Sequence, residues 1–446
     1  MCKGNNEVYT GAGNDKIHSR GESNSLNLLN GGDGDDEFLI SGDGDNRIHG
    51  GNGNDNIDIH HAHGNHQIYG EAGDDNIRII GNGNNRIYGG SGNDNIKMIG
   101  DGNNCIHGGS DNDTIILKGK GSNLIHGGIG DDYIQGGEGK DIIQGGDGND
   151  VIYGMAGDDI IFGGPGNDYI DGGQGNDILK GGNGRDIISG AKGTDQIYGN
   201  SGSNVLLDNE TLDSKNPNDK IYTYDSNDSE AIPTNIIIPY NHDNDTEFSA
   251  RVKSDFETLK ALPSFRKIIK EINKTGKQVS ITQTFKAEGW ANSNVDACTV
   301  KPNGTANIGA DVKIGYNPSY FHNRHSGTSF PIVIFGHEMS HAYNCTTGTA
   351  LWNHETAPTS GSGSIGNGKE KAIEHQAVGL PIGDTYAPIT GELLKQEPVK
   401  HPDGTVSYNN PKGISENDIR ADLNLAPRGA SLRLNLYASS SYLNDK

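Results

Sequence analysis

Gly127-Gly-Ile-Gly-Asp-Asp132-Tyr-Ile134-Gln opens a run that returns every nine residues, at Gly136 to Gln144, Gly145 to Tyr153, Gly154 to Phe162, Gly163 to Asp171, Gly172 to Lys180, Gly181 to Ser189 and Gly190 to Tyr198. The unit is G-G-x-G-x-D-x-U-x, with U apolar. A period this strict predicts a stacked β-solenoid in which each repeat makes one turn and one short strand. Glycines admit the backbone angles that tight stacked turns need. Position-eight residues such as Ile143, Ile152, Ile161, Ile170 and Ile188 point into a narrow core. Position-six carboxylates with nearby carbonyls offer hard oxygen ligands suited to Ca2+. Without cations the carboxylate row repels itself, so folding is expected to be coupled to calcium binding.

Upstream, residues 11–126 keep the pattern with a period close to 19 or 20, and alternate turns change chemistry. One set keeps aspartate at position six: Asp15, Asp36, Asp55, Asp75, Asp94 and Asp113. The interleaved set carries Asn46, His66, Asn85, Asn104 and Asn123. Two repeats make one coil, so the sets fall on opposite edges. Calcium is therefore expected on one edge before Gly127. It is expected on both edges after it, where Asp141, Asp159, Asp177 and Asp195 join Asp132, Asp150, Asp168 and Asp186. Asparagine is a weaker calcium ligand but tolerates the turn and stacks as an amide ladder. The His60, His61, His63 and His66 patch reads as solvated variation in one coil, since no acidic or thiolate partner of suitable spacing accompanies it. The periodic half resembles the RTX, or haemolysin-type, calcium-binding repeats. The resemblance implies a parallel β-roll that serves export and folding.

Composition is uneven. Of 446 residues 68 are glycine, most of them before residue 200, and the length allows two or three domains. A formal net charge of -23 argues against a nucleic-acid partner and for solvation or bound cations. No apolar run approaches the roughly 18 residues of a membrane span. The start, Met1-Cys-Lys-Gly-Asn-Asn-Glu, has no apolar core of a cleavable signal, so export is expected by another route. Cys2, Cys105, Cys298 and Cys345 are too few and scattered for a disulfide scaffold, and a Cys298 to Cys345 bridge stays open.

The pattern divides the chain into a β-roll at 1–207, a cap and linker at 208–246 and a second domain at 247–446. Periodicity fades over Gly199 to Leu207, and an Asn, Asp, Ser and Pro-rich connector follows, with one strand at Ile236-Ile-Ile-Pro. Phe248, Val252, Phe256, Leu259 and Leu262, then Phe265, Ile268, Ile269 and Ile272, recur at helical spacing. Val279-Ser-Ile-Thr and the stretch Asn307 to Tyr316 read as strands.

Ile334-Phe-Gly-His337-Glu338-Met-Ser-His341-Ala-Tyr carries the chemistry of this second domain. On a helix, residues four apart share a face, so His337 and His341 can take adjacent corners of one tetrahedral zinc ion. Glu338 stays off the metal. In this pattern zinc acidifies a water, and the carboxylate accepts its proton and passes it to the leaving amine. The apolar run Phe330-Pro-Ile-Val-Ile-Phe335 lets the helix enter from a buried segment. A zinc site needs a third protein ligand, and no Gly and His follow closely after His341, as a metzincin would require. Glu374, in a second helical stretch 33 residues on, is the leading candidate, with Glu416 and His375 as rivals.

Three blocks, Gly336-His-Glu-Met-Ser-His-Ala-Tyr, Glu374-His-Gln-Ala-Val-Gly-Leu-Pro and Ile414-Ser-Glu-Asn-Asp-Ile-Arg420-Ala-Asp-Leu-Asn-Leu-Ala-Pro-Arg428, resemble the bacterial effector zinc peptidases injected into plant and animal host cells. The likeness covers about residues 247–440, with Asn424 standing where the family has Gly. It implies an α+β zincin-like metallopeptidase in which His337, His341 and Glu374 bind zinc and Glu338 is the general base. Arg420 and Arg428 would pair with neighbouring acids or bind an oxyanion. The expected whole is a secreted zinc endopeptidase, an effector or toxin delivered to a target cell and cutting its proteins. The alternative is a calcium-dependent, adhesin-like extracellular binding protein whose peptidase-like domain is inactive. A zinc hydrolase that is not a peptidase is the third reading.

Overall fold

The computed structural model of the chain describes residues 5–21, 25–60, 63–208, 211–212, 218–223, 234–238, 246–283, 290–293, 309–316, 331–346, 398–400, 406–408, 419 and 421–423. It divides into two compact units, Met1–Asp225 and Ser226–Lys446.

In the first unit successive strands alternate between two parallel sheets of twelve strands each. One sheet runs from Asn6–Ala12 to Thr211–Leu212, the other from Lys16–Gly21 to Lys220–Thr223. Register is repeat upon repeat. Ile106 pairs with Ile125 and Ile125 with Ile143 in the first sheet, as Ile115 pairs with Ile134 and Ile134 with Ile152 in the second. All are buried in one continuous apolar column. This is the parallel β-solenoid the repeat predicts. Glycine lets most of the turns between strands close: Gly184 sits at φ +143°, and a Cβ there would run into the Gly166 carbonyl of the coil before.

The longer upstream period has a physical source the motif does not display. Ile40, Ile59, Ile79, Met98 and Leu117 lie in the same column two residues past Phe38, Ile57, Ile77, Ile96 and Ile115. Each such coil therefore holds one more inward side chain. After Gly127 that place falls to a glycine, as at Gly136 and Gly154. The coil-to-coil separation accordingly shortens from 19 to 18 residues at Asp132.

Coiling does not stop at Leu207. Gln196 pairs with Thr211 and Val205 with Lys220, so part of the stretch expected as cap and linker continues both sheets. Glycine spacing is lost there while backbone pairing, which is indifferent to side-chain identity, persists.

The second unit has helices α1 (Thr246–Lys260), α2 (Pro263–Thr275) and α3 (Pro331–Thr346). Its four-stranded sheet has the order Ile236–Ile237, Val279–Gln283, Val312–Tyr316, Trp290–Ser293, antiparallel only at the last pair. Pro263 starts α2 with its fixed φ, and Gly276 at φ 65° ends it. The apolar stripes expected at helical spacing are buried: Phe248, Val252, Phe256 and Leu259 on α1, and Phe265, Ile268, Ile269 and Ile272 on α2. Phe256 and Phe265 meet Phe335 of α3 at ring-centroid distances of 6.3 Å each, and Phe335 stacks on Tyr316 at 4.9 Å. The apolar run expected to lead into α3 is thus its own first two turns, with Val333 and Phe335 buried.

Replacing Ile106, fully inside the column, by alanine should cost about 2–5 kcal/mol. Leu124→Ala, at a side chain 48% exposed on the neighbouring strand, should cost under about 0.5 kcal/mol. Thermal midpoints of the calcium-loaded protein check the contrast, and equal losses would contradict the column.

Candidate metal centres

Stacking brings the position-six aspartates into rows. On one edge stand Asp36, Asp55, Asp75, Asp94, Asp113, Asp132, Asp150, Asp168 and Asp186, and on the other Asp141, Asp159, Asp177 and Asp195, all buried at the turn before a strand. Within a row, the N–H of each aspartate up to Asp168 and Asp177 donates to Oδ1 of the aspartate one coil on, at 2.7 to 3.1 Å, and that of Asp186 to Asn204 Oδ1 at 2.9 Å. That leaves Oδ2. In Asp36, Asp55, Asp75, Asp94, Asp113, Asp132, Asp150, Asp159, Asp168 and Asp186 this oxygen is buried with no hydrogen-bond partner. It lies where a Cβ on the first glycine of its own repeat would stand, at Gly31, Gly50, Gly89 and Gly127 among others. Asp141 differs, since its Oδ2 accepts the Gly137 N–H at 2.9 Å. A file of buried, orphaned carboxylate oxygens fits a hard divalent cation that takes oxygen ligands.

Burial, with neighbouring carboxylates adding to it, holds five of them, Asp55, Asp75, Asp113, Asp132 and Asp168, protonated far above the usual range. Asp55 and Asp75 are pushed up to about 7, Asp113 to about 8, and Asp132 and Asp168 to about 9.

The HExxH residues lie on α3, which is buried along the motif. His337 and His341 bring their Nε2 atoms to 3.1 Å with the rings at 85°. Two nitrogens bound to one tetrahedral zinc at about 2.0–2.1 Å stand about 3.3–3.4 Å apart, so the pair fits a shared ion. Glu338, between them in sequence, is 1% exposed. Burial and the Glu271 carboxylate push Tyr343 up to about 12, so its phenol keeps its proton. Among the described residues no cluster of three His, Cys, Asp or Glu side chains is disposed to hold a metal. Glu374, its rivals Glu416 and His375, and Arg420 and Arg428 lie outside the described residues.

Two features of this site escaped the motif reading. A Cβ on Gly336 would lie 2.7 Å from Cδ1 of Ile419, so the glycine before His337 admits the third sequence block against α3. The same block is tied to the start of α2, where Asp422 Oδ2 accepts from the Ser264 N–H at 2.9 Å and its hydroxyl at 2.5 Å. Glycine inside an apolar helix was the available signal; the Ser264 contact, 158 residues apart, had none. Cys345, one turn past His341, is disulfide-bonded and Cys105 is free, while Cys298 lies outside the described residues.

The histidine patch is corrected by the structure. His66 is 1% exposed because position six turns inward, and His60 and His63 have acidic partners in Asp58 and Asp43, each at 2.9 Å.

The raised aspartates fix the sign of a pH effect. Their carboxyls bind protons more tightly folded than unfolded, where the value is near 3.9. Metal-free stability is therefore fully present below about pH 4 and is lost as pH rises through 6 to 9. Circular dichroism melts in a chelator should show a higher midpoint at pH 5 than at pH 8, with calcium reversing the order. An unchanged midpoint would contradict the buried carboxylate rows.

Residues 238–430 match the Peptidase M91 family, described as effector protein. RTX calcium-binding nonapeptide repeats match in stretches between residues 3 and 206, including 30–58, 119–152 and 171–206. No curated protein matches the chain. The chain therefore carries RTX calcium-binding repeats in its N-terminal half, and its residues 238–430 match the Peptidase M91 effector-protein family.

Proposed function

We propose that the chain is a secreted zinc endopeptidase that cleaves proteins of a target cell into which it is delivered, with the repeats taking up calcium outside the producing cell. The observation that carries the zinc reading is the pair of Nε2 atoms 3.1 Å apart beside buried Glu338, inside a peptidase-family domain. His337 and His341 would hold the ion, with Glu374 the third ligand. When bound, zinc supplies Lewis acidity, acidifying water and polarising a peptide carbonyl.

Everything else falls to the chain's own groups. Glu338, held in a dry place by the packing of α3, takes the proton of the attacking water and returns it to the leaving amine. Its burial strengthens both transfers by removing competing solvent. The Gly336 to Ile419 contact keeps the third sequence block against α3 in the turn that carries His337. The Asp rows named above would hold calcium, and the ions would offset the repulsion between stacked carboxylates.

Glu338→Gln should keep zinc at wild-type occupancy and lower cleavage by at least about a hundredfold, the range general-base catalysis covers. Glu374→Ala should lose zinc, and Glu416→Ala should not. Metal content by plasma emission, alongside a cleavage screen on target-cell lysate, reads both. An unchanged biological effect of a Glu338→Gln protein that no longer cleaves would favour a calcium-dependent binding module, and zinc loss only from Glu416→Ala would move the third ligand.

A further inference from the structure

The edge opposite the long aspartate row is built differently before Asp141. Its position-six side chains are amides except at His66, and the amide nitrogens of Asn46, Asn85, Asn104 and Asn123 each make two donations. Nδ2 of Asn85 donates to the Gly83 carbonyl at 2.8 Å and to Asn104 Oδ1 at 3.0 Å. Asn104 donates to Gly102 at 2.7 Å and to Asn123 Oδ1 at 3.0 Å. Asn123 donates to Gly121 and to Asp141 Oδ1, both at 2.9 Å, which hands the row over to aspartate. Asn46 donates to Gly44 at 2.9 Å, and Asn27, which the repeat pattern does not reveal, joins the row by donating to Asn46 Oδ1 at 2.8 Å. Where aspartate leaves a bare acceptor, asparagine brings two donors and satisfies both.

A second departure accompanies the first. Every repeat of the aspartate edge from Asp36 to Asp132 has glycine five residues ahead: Gly31, Gly50, Gly70, Gly89, Gly108 and Gly127. Each is needed, because Oδ2 occupies the space its Cβ would take. On the asparagine edge the place that Gly136 takes, two residues past the column isoleucine, is held by Ile40, Ile59, Ile79, Met98 and Leu117, all buried. A side chain there closes the space that Oδ2 uses. Glycine and aspartate then return together, as Gly136 and Asp141.

We infer that the edge carrying Asn46, His66, Asn85, Asn104 and Asn123 takes no calcium, the side-chain amide standing where the ion would, so that these coils are held on that side without metal. His66 keeps the row neutral. Its Nδ1 lies 3.1 Å from Asn46 Nδ2 and accepts from it, which puts the proton on Nε2, and its backbone N–H donates to Asn85 Oδ1 at 2.9 Å. Burial also holds its pKa down at about 4. The first half of the solenoid thus has one metal-dependent and one metal-independent edge, and the second half has carboxylates on both. The inference rests on the calcium reading of the aspartate edge.

The full chain, dialysed to equilibrium against excess calcium and counted by plasma emission, tests it. Asp94→Asn should lose bound calcium. Asn104→Ala should keep the wild-type count yet melt several degrees lower in a chelator, where the ladder alone holds the edge. Asn85→Asp with Asn104→Asp should gain no ion, whereas the same pair combined with Ile79→Gly and Met98→Gly should gain at least one. Loss of calcium from Asn104→Ala, or a gain from the aspartate pair alone, overturns the inference by itself. A wild-type count retained by Asp94→Asn overturns the calcium reading of the opposite edge and takes this inference with it. Should the fourfold variant not fold, the Asn104→Ala count and melt still decide.

Discussion

One hydrogen bond, repeated coil after coil, sets the terms for the first half of this protein: the position-six N–H donates to the side-chain oxygen of its counterpart one coil on. It fixes the register between coils at the turn, where strand pairing is weakest. It also buries a side chain that has a second polar atom to satisfy. With asparagine, at Asn46, Asn85, Asn104 and Asn123, that atom is a donor and finds acceptors at hand. With aspartate it is an acceptor that most of the row leaves bare, Asp141 excepted, and a cation can complete it. The choice between a self-sufficient edge and a metal-dependent one is therefore made by a single atom type, oxygen or nitrogen.

That constraint accounts for the way the core is distributed. Coils before Gly127 carry one extra inward aliphatic side chain, at Ile40, Ile59, Ile79, Met98 and Leu117. The same coils carry the amide ladder. Later coils give up that apolar residue to glycine and carry aspartate on both edges. Apolar burial and metal dependence thus run in opposite directions along the solenoid. A chain exported unfolded into calcium would acquire its two halves by different means, the first partly from its own contacts and the second chiefly from the ions.

The second unit follows ordinary packing. Phe256, Phe265, Tyr316 and Phe335 surround the first turns of α3 and hold still the helix on which the two imidazoles sit. Gly336 carries no side chain because Ile419 needs the room. The residues that would act on substrate and those that keep them in place are therefore separate, and the latter come from segments far apart in the chain.

The sequence alone determined the solenoid, since a nine-residue period with glycine, aspartate and isoleucine at set places has one way to bury its apolar residues. It also determined the split between aspartate and asparagine edges, and the helix with two histidines on one face, because both are local and periodic. It did not disclose that coiling continues past Leu207, where pairing depends on the backbone and not on the motif. Nor did it disclose that His66 is buried, that the first glycine makes room for Oδ2, or that Ile419 rests on Gly336. Those are contacts between residues brought together only by stacking or tertiary packing, and no spacing along the chain encodes which atoms will share the same space.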